Sequence, residues 1–184
     1  MVFSEKFNKA FELLMEDEGG FVNDEADPGG ATKYGITQKT YEQYIGRKVE
    51  IIDMKNLTVE VAKEIYLKNY WNPLSCEYVN EPAIAICIFN TGVLHGLQTS
   101  AKTTQRVLSL LGATIKIDGV IGGETTKHLN MIQAKSFLKL FHKLLLERIE
   151  TLVFNNPKLS KFKRGWENRT HRLLTLADKS TKIV

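Results

Sequence analysis

The chain has 184 residues, and 43% of them are hydrophobic, which is enough for one two-lobed domain or two small ones. Its net charge of +4 suits a polyanionic partner, but an ordinary soluble surface has the same charge. The composition excludes a disordered chain, and the longest apolar run, Ala83 to Phe89, is too short to span a bilayer.

In the first third of the chain, apolar spacing and capping residues predict helices around one small β element. Ser4 is expected to cap a helix that runs to about Glu18, with apolar residues at helical spacing on its inner face. The loop at 21–37 has the glycines, proline and β-branched residues of a short hairpin or a pair of turns. Thr37 is expected to cap a helix that extends through Tyr44.

The middle of the chain contains its most apolar helix. Thr58 is expected to cap a helix that ends near Tyr70-Trp71. Pro82 can begin the next helix, which is apolar nearly all round and should be the central one. We expect this central helix to end near 90–92.

The rest of the chain is predicted to be helical as well. A helix at 99–111 is followed by a turn at 118–125 that leads into the next helix. A long helical stretch then extends until Pro157 breaks it, and a last helix carries Phe162, Trp166 and Leu173.

Several kinds of site are not indicated. The two cysteines, Cys76 and Cys87, do not make a disulfide framework, and Cys87 in its apolar run is expected to be a small buried hydrophobe. The four histidines are dispersed without zinc-ligand spacing, and no phosphate-binding glycine loop or nucleic-acid motif is present. We therefore expect no metal, no cofactor and no nucleic-acid partner.

The functional interpretation depends on Glu18. It lies four residues beyond Leu14 and continues the apolar face of the first predicted helix. Desolvation on this face would keep the carboxyl group of Glu18 protonated, as a general acid requires. The negative end of the helix dipole also disfavours an ionised Glu with a merely structural role at this position. Asp27 and Thr32 follow in a loop that can fold back over the helix end. A carboxylic acid with a raised pKa, a carboxylate in a polar environment and a hydroxyl group are typical of sites that cut glycosidic bonds.

Each of these residues also has a simpler interpretation. Asp27 precedes Pro-Gly-Gly and is a natural turn residue, Asp24 is its rival as second carboxylate, and Thr32 suits an ordinary strand. The acidic cluster that includes Glu25 could suggest calcium, but it lacks the glycine and the distant bidentate Glu of an EF-hand.

The stretch Glu-Gly-Gly-Phe-Val-Asn-Asp-Glu-Ala-Asp-Pro-Gly-Gly-Ala-Thr-Lys-Tyr-Gly-Ile-Thr resembles the signature of glycoside hydrolase family 108. These are lysozyme-like N-acetylmuramidases, often carried by phages and prophages. The resemblance implies that Glu18 is the acid and that Asp27 and Thr32 position or activate water. It also implies a mainly α, lysozyme-like fold with two lobes and one small β-hairpin element after the first helix.

Further landmarks extend this resemblance over nearly the whole chain. Tyr70-Trp71, the segment at 90–92, the turn at 118–122 and the segment at 165–169 are similar to family landmarks. They imply a lysozyme-like catalytic region at 1–94, and a helical region at 95–184 that is similar to a peptidoglycan-binding module and packs against it. One position departs from the family, because Ile86 stands where relatives often have an aspartate.

Four residues are candidates for substrate binding. Tyr34, Tyr70 and Trp71 either stack against sugar faces or pack in the core. Asn90 either bonds a substrate N-acetyl group, which the resemblance favours, or only caps its helix.

The resemblance implies hydrolysis of the β-1,4 bond between N-acetylmuramic acid and N-acetylglucosamine in peptidoglycan glycan strands. A lytic transglycosylase and a non-catalytic wall-binding or secretion-assisting protein are the alternatives. The N-terminus lacks the pattern of a signal peptide, and no membrane insertion is expected. We therefore expect synthesis in the bacterial cytoplasm and action on the cell wall after release, with a holin or secretion partner providing the route.

Overall fold

The protein is described by a computed structural model that covers residues 2–16 and 31–180, with side chains as far as residue 175. This part of the chain is mainly α-helical with one small antiparallel hairpin, which confirms the predicted fold class. The chain divides into two compact units, Met1–Asn69 and Tyr70–Val184. The predicted boundary between functional regions at residue 94 is a different division and stays a prediction.

The described part of the first unit has one helix before the hairpin and three after it. Its elements are α1 (Glu5–Met15), β1 (Thr32–Lys33), β2 (Ile36–Thr37), α2 (Gln38–Ile45), α3 (Ile51–Asn56) and α4 (Val59–Tyr66). A π-helical turn (Leu67–Trp71) follows α4 and contains the boundary between the units.

The second unit consists of helices and short 3₁₀ turns in its described part. Its elements are a 3₁₀ turn (Cys76–Tyr78), α5 (Pro82–His95), α6 (Leu97–Leu110), α7 (Gly123–Leu129), α8 (Ala134–Asn155), a second 3₁₀ turn (Pro157–Leu159) and α9 (Ser160–Ser180). No helix in the described ranges is both long and apolar enough to cross a membrane.

Helix α1 begins where the sequence predicts. The Ser4 hydroxyl accepts a hydrogen bond of 3.2 Å from the backbone N–H of Phe7, which satisfies one of the free donors at the helix start. The apolar face is buried at Phe7, Phe11 and Leu14. The α-helix ends at Met15, and the predicted end near Glu18 lies outside the described residues.

The hairpin turns on two residues with positive φ. Tyr34 has φ 53° and Gly35 has φ 70°, the backbone that a two-residue type I′ turn requires. Thr32 lies opposite Thr37 in the ladder. Thr37 also caps α2, since its side chain accepts from the backbone N–H of Thr40 at 3.3 Å. The predicted hairpin and this cap are both confirmed.

Helix α3 and a small cluster beneath the hairpin were not anticipated. Ala31, Val49 and Met54 are buried together. At the start of α3, the backbone N–H of Glu50 donates to the Asp53 carboxylate at 2.9 Å. The sequence signal was Asp53 in the first turn, a weak one for a helix of only six residues.

Helix α5 is the core of the second unit, as predicted. Every residue from Ala83 to Gly92 is buried. The prediction that α5 ends near 90–92 was wrong, because the helix continues to His95. Gly92 does not end the helix; it is the point where the helix meets the Leu74 side chain, and a Cβ there would collide with Leu74. Gly96, at φ 87°, follows the last helical residue.

Candidate functional site

The predicted acid Glu18, the predicted second carboxylate Asp27 and its rival Asp24 lie outside the described residues. Both flanks of this acidic segment are held by backbone hydrogen bonds. Before it, the N–H of Glu16 donates to the carbonyl of Glu12 at 3.2 Å. After it, the carbonyl of Ala31, whose side chain is buried, accepts from the N–H of Gln38 at 2.9 Å. Residue 16 and residue 31 thus each take part in a backbone hydrogen bond within the described ranges.

Thr32 is half-buried in β1, with a hydroxyl that has no hydrogen-bond partner in the described part of the chain. The hydroxyl of Thr37, opposite it, is engaged as the cap of α2. Thr32 therefore has donor and acceptor capacity to spare, which a residue that orients water requires.

Tyr34 lies at the tip of the hairpin with its ring half-exposed. The Lys33 ammonium lies 5.2 Å from the centre of this ring, within cation–π distance. The same ammonium donates a hydrogen bond to the carbonyl of Lys55. The Tyr34 ring is thus partly open but already has one cation nearby, and both its sugar-stacking and its packing interpretation stay open.

Tyr70 and Trp71 are adjacent in sequence but differ in exposure. Trp71 is 0% exposed, and its ring packs edge-on against Phe89 with centroids 5.5 Å apart. Its indole N–H donates to the Glu77 carboxylate at 2.9 Å. In this conformation Trp71 packs in the core and presents no face to a sugar, while Tyr70 is half-exposed.

Asn90 does not cap α5, because the helix continues past it. Its side-chain N–H₂ donates to the carbonyl of Ile86 at 3.1 Å, one turn earlier. Its side-chain oxygen is buried without a hydrogen-bond partner in the described part of the chain, and so is the hydroxyl of the neighbouring Thr91. A buried, unpaired acceptor costs about 1–3 kcal/mol. A donor from outside the described contacts would remove that cost.

Ile86 stands in the most apolar part of α5 and is 1% exposed. An aspartate at this position would carry a large desolvation penalty unless it were paired. The isoleucine avoids that penalty, and its backbone carbonyl still holds the Asn90 amide.

Glu64 is a carboxylate of the first unit that is engaged with another side chain. The Tyr44 hydroxyl donates a hydrogen bond to it, and this contact raises the pKa of Tyr44 to about 12. A carboxylate occupied in this way is a poor substitute for Glu18 as a proton donor.

The described ranges contain no group of three or more His, Cys, Asp or Glu side chains that could hold a metal ion.

The structure brings the predicted residues together only in part. Thr32 and Tyr34 lie on one hairpin of the first unit, whereas Trp71 and Asn90 lie in the core of the second.

The sequence interpretation missed Tyr66, whose hydroxyl donates to the carbonyl of Tyr34 at 3.0 Å. No local pattern marks such a contact, because the two residues are 32 positions apart.

Comparisons with known proteins concern the family and the fold. The model of the family described as Glycosyl hydrolase 108 matches residues 11–96. Twelve chains of known structure also match. One of them, Brucella abortus SagA, has a TM-score of 0.77 and 29% sequence identity, over 96% of this chain and 95% of that chain. A search of curated proteins found no significant match.

The family match contains every predicted site residue, from Glu18 to Asn90. It ends at residue 96, so the peptidoglycan-binding role predicted for 95–184 stays a prediction.

Proposed function

We propose that the chain is a peptidoglycan hydrolase, an N-acetylmuramidase that cleaves the β-1,4 bond between N-acetylmuramic acid and N-acetylglucosamine. The observation that carries the proposal is the Glycosyl hydrolase 108 match over residues 11–96, which contains all the residues predicted for the chemistry. The similarity to SagA over nearly the full length of both chains supports the fold on which this site would be built.

In the proposed reaction, Glu18 protonates the oxygen of the leaving sugar. Asp27, with Thr32, holds a water on the opposite face of the ring and takes its proton as the water attacks. Such an inverting arrangement requires carboxyl groups about 6.5–9.5 Å apart, so that the water fits between them. Two features support the water-positioning role. The Thr32 hydroxyl has no hydrogen-bond partner among the described residues, and the hairpin that carries it is held by the hydrogen bond from Tyr66 to Tyr34.

Asn90 is proposed to contact the substrate through its unpaired side-chain oxygen. The N–H of a sugar N-acetyl group is a donor that would satisfy this acceptor, while the amide nitrogen stays bonded to Ile86. Asn90 is 0% exposed, so this contact requires the packing around its side chain to open. Tyr34 and Tyr70, both half-exposed, are proposed to contact sugar faces. For Trp71, which is fully buried, sugar contact would require the core around it to open.

The test is mass spectrometry of muropeptides released from purified cell walls by the wild type and by Glu18→Gln. Glutamine keeps the shape of the side chain but cannot donate the proton. General acid catalysis contributes about 10²–10⁴-fold in rate, so release should fall by that factor. Glu16→Gln is the matched control, because Glu16 is an exposed glutamate at the end of α1 and should retain full activity.

The products separate this proposal from its alternatives. Reducing N-acetylmuramic ends support hydrolysis, whereas 1,6-anhydro ends would indicate a lytic transglycosylase. Absence of any release by the wild type would indicate a non-catalytic wall-binding or secretion-assisting protein. Retention of more than about a tenth of the activity by Glu18→Gln would remove Glu18 from the acid role.

The route to the wall also stays a proposal. A holin or secretion partner would admit the folded enzyme to the peptidoglycan. Expression by itself should then be tolerated by a bacterium, and a membrane-permeabilising agent should trigger lysis. Lysis without permeabilisation would contradict this route.

A further inference from the structure

Helices α6 and α8 of the second unit border an open groove with a volume of about 600 Å³. Three cationic side chains line it, Lys102 and Arg106 from α6 and Arg148 from α8. One acid, Glu147, lies among them, and the remaining lining consists mostly of hydroxyl and amide side chains. The groove is therefore polar, with an excess of positive charge.

The three cations are not neutralised within the described ranges. Lys102, Arg106 and Arg148 form no ion pair with any described residue. Glu147 lies 3.8 Å from Lys143, and both side chains are more than half exposed, so this pair is weak. The positive charge of the groove thus remains available to a ligand.

A second arginine lies near the Arg148 end of the groove. The pKa of His95 is lowered, first by burial and then by the neighbouring charges of Arg148 and Arg169. The smaller contribution of the two arginines shows that positive charge lies near His95. An anion at this end of the groove would meet that positive charge.

Lys102 is held in place by the turn that follows α6. Buried Gln105 donates to the Asp118 carboxylate at 2.8 Å and to the carbonyl of Val120 at 3.0 Å, and it accepts from the N–H of Gly119 at 2.9 Å. This clamp places Gly119, at φ 83°, so close to α6 that a Cβ there would lie 3.3 Å from Lys102 Cε. The stem of Lys102 is therefore packed, and less side-chain entropy is lost on binding.

The dimensions of the groove suit a short extended chain. Its lining on α6 extends from Gln98 to Arg106, about 12 Å at 1.5 Å per residue. An extended peptide rises about 3.3–3.6 Å per residue, so four residues fill that length. The cations lie on both sides, where they can reach carboxylates that alternate along such a chain.

We propose that this groove binds an extended acidic peptide that carries a single amino group. Carboxylates of the peptide pair with Lys102, Arg106 and Arg148, and the guanidinium groups can bind them in bidentate fashion. Glu147 accepts the amino group, which is why a peptide fits this lining better than a chain of phosphates. The threonine hydroxyls of Thr99 and Thr103, which line the groove, pair with the peptide backbone. The inference stands whether or not the chain cuts glycan.

The test is calorimetric titration of the full-length protein with the N-acetylated tetrapeptide Glu-Ala-Glu-Lys, whose free C-terminus supplies a third carboxylate, in low-salt buffer. Arg106→Ala and Arg148→Ala should each weaken binding about tenfold, the effect of losing one hydrogen bond to a charged group. Added salt should weaken binding of the wild type, because exposed charges are screened. Arg164→Ala is the matched control, since Arg164 is exposed on α9 and does not line the groove.

Two further probes decide the ligand class. The peptide Gln-Ala-Gln-Lys should not bind, and inorganic tripolyphosphate should bind more weakly than Glu-Ala-Glu-Lys. Glu147→Gln should weaken binding of the acidic peptide and strengthen binding of tripolyphosphate. Equal or tighter binding of tripolyphosphate by the wild type, or unchanged affinity in both arginine variants, would overturn the proposal. So would failure of the acidic peptide to bind at millimolar concentration. Thermal melts confirm that each variant is folded.

Discussion

The hydroxyl of Tyr66 donates a hydrogen bond of 3.0 Å to the carbonyl oxygen of Tyr34. Tyr66 is buried in α4, and Tyr34 is the turn residue with φ 53° at the tip of the hairpin. A non-glycine residue rarely adopts this backbone, and it persists where neighbouring structure holds it. The contact therefore fixes the hairpin that carries Thr32, the proposed water-positioning residue.

Removal of this contact should loosen the hairpin. In Tyr66→Phe the ring still packs against Phe11, at 5.6 Å between centroids, but the hydrogen bond is lost. We expect about 0.5–1.5 kcal/mol less stability by urea denaturation. Wall lysis should fall several-fold because Thr32 is held less firmly. Tyr78→Phe is the control, since Tyr78 is 72% exposed, and should change neither quantity. Full activity in Tyr66→Phe would show that the hairpin needs no such support.

Two helical glycines should respond to alanine in opposite directions. Gly92→Ala places a methyl group against the buried Leu74 side chain, and overpacking of this kind costs about 1–3 kcal/mol. Gly165→Ala meets nothing within 4 Å on α9 and should gain about 0.5–1 kcal/mol from its better helix propensity. Thermal unfolding of both variants measures the difference. A stable Gly92→Ala protein would mean that Leu74 can move aside at no cost.

Stability should decline as the pH falls below 6.5. Nε2 of His142 and Nδ1 of His171 lie 3.0 Å apart across α8 and α9, and they can share a proton only while one ring is neutral. Burial, and then the neighbouring His171, lowers the pKa of His142 below 6.5, and burial does the same for His95. The unfolded chain thus binds more protons, so the stabilisation is complete above pH 6.5 and is lost as the pH falls through the folded pKa values.

The measurement is thermal unfolding at pH 7.5 and pH 5.0, a range that stays above the ordinary carboxylate pKa values. The wild type should melt at a lower temperature at pH 5.0, and His142→Gln should show a smaller difference between the two conditions. His128→Gln, on α7, is the control and should keep the wild-type difference. An identical pH response in wild type and His142→Gln would exclude the histidine pair as its source.

The identity of the second carboxylate can be decided by paired substitutions. If Asp27 holds the attacking water, Asp27→Asn should reduce wall hydrolysis about 10²–10⁴-fold, while Asp24→Asn has a much smaller effect. The reverse result would transfer the role to Asp24. Circular dichroism of both variants must match the wild type, so that a loss of activity reports chemistry and not misfolding.

Much of the secondary structure could be predicted because its causes are local. Ser4, Thr37 and Thr58 cap the helices that follow them, and Pro82 is the first residue of α5. A capping side chain bonds a backbone N–H within three residues, and proline needs only its own restricted φ. These signals lie entirely within a few positions of one another.

The short and irregular elements could not be predicted, because they lack such local signals. Helix α3 has six residues, and the π-helical turn at Leu67–Trp71 has five, too few for a periodic pattern. The end of α5 was misplaced because Gly92 looks like a terminator in sequence. Its small size instead accommodates Leu74, which lies in a different segment of the chain.

The sequence by itself determined the mainly α-helical fold, the hairpin after the first helix and the acidic signature on which the proposed chemistry depends. Tertiary structure alone decided that Trp71 is buried, that the Asn90 oxygen has no hydrogen-bond partner among the described residues, that Tyr66 holds Tyr34, and that Arg106 and Arg148 line one groove. Helix caps and apolar periodicity involve residues within about four positions of each other. The other contacts join residues tens of positions apart, and only the packing of whole helices brings those residues together.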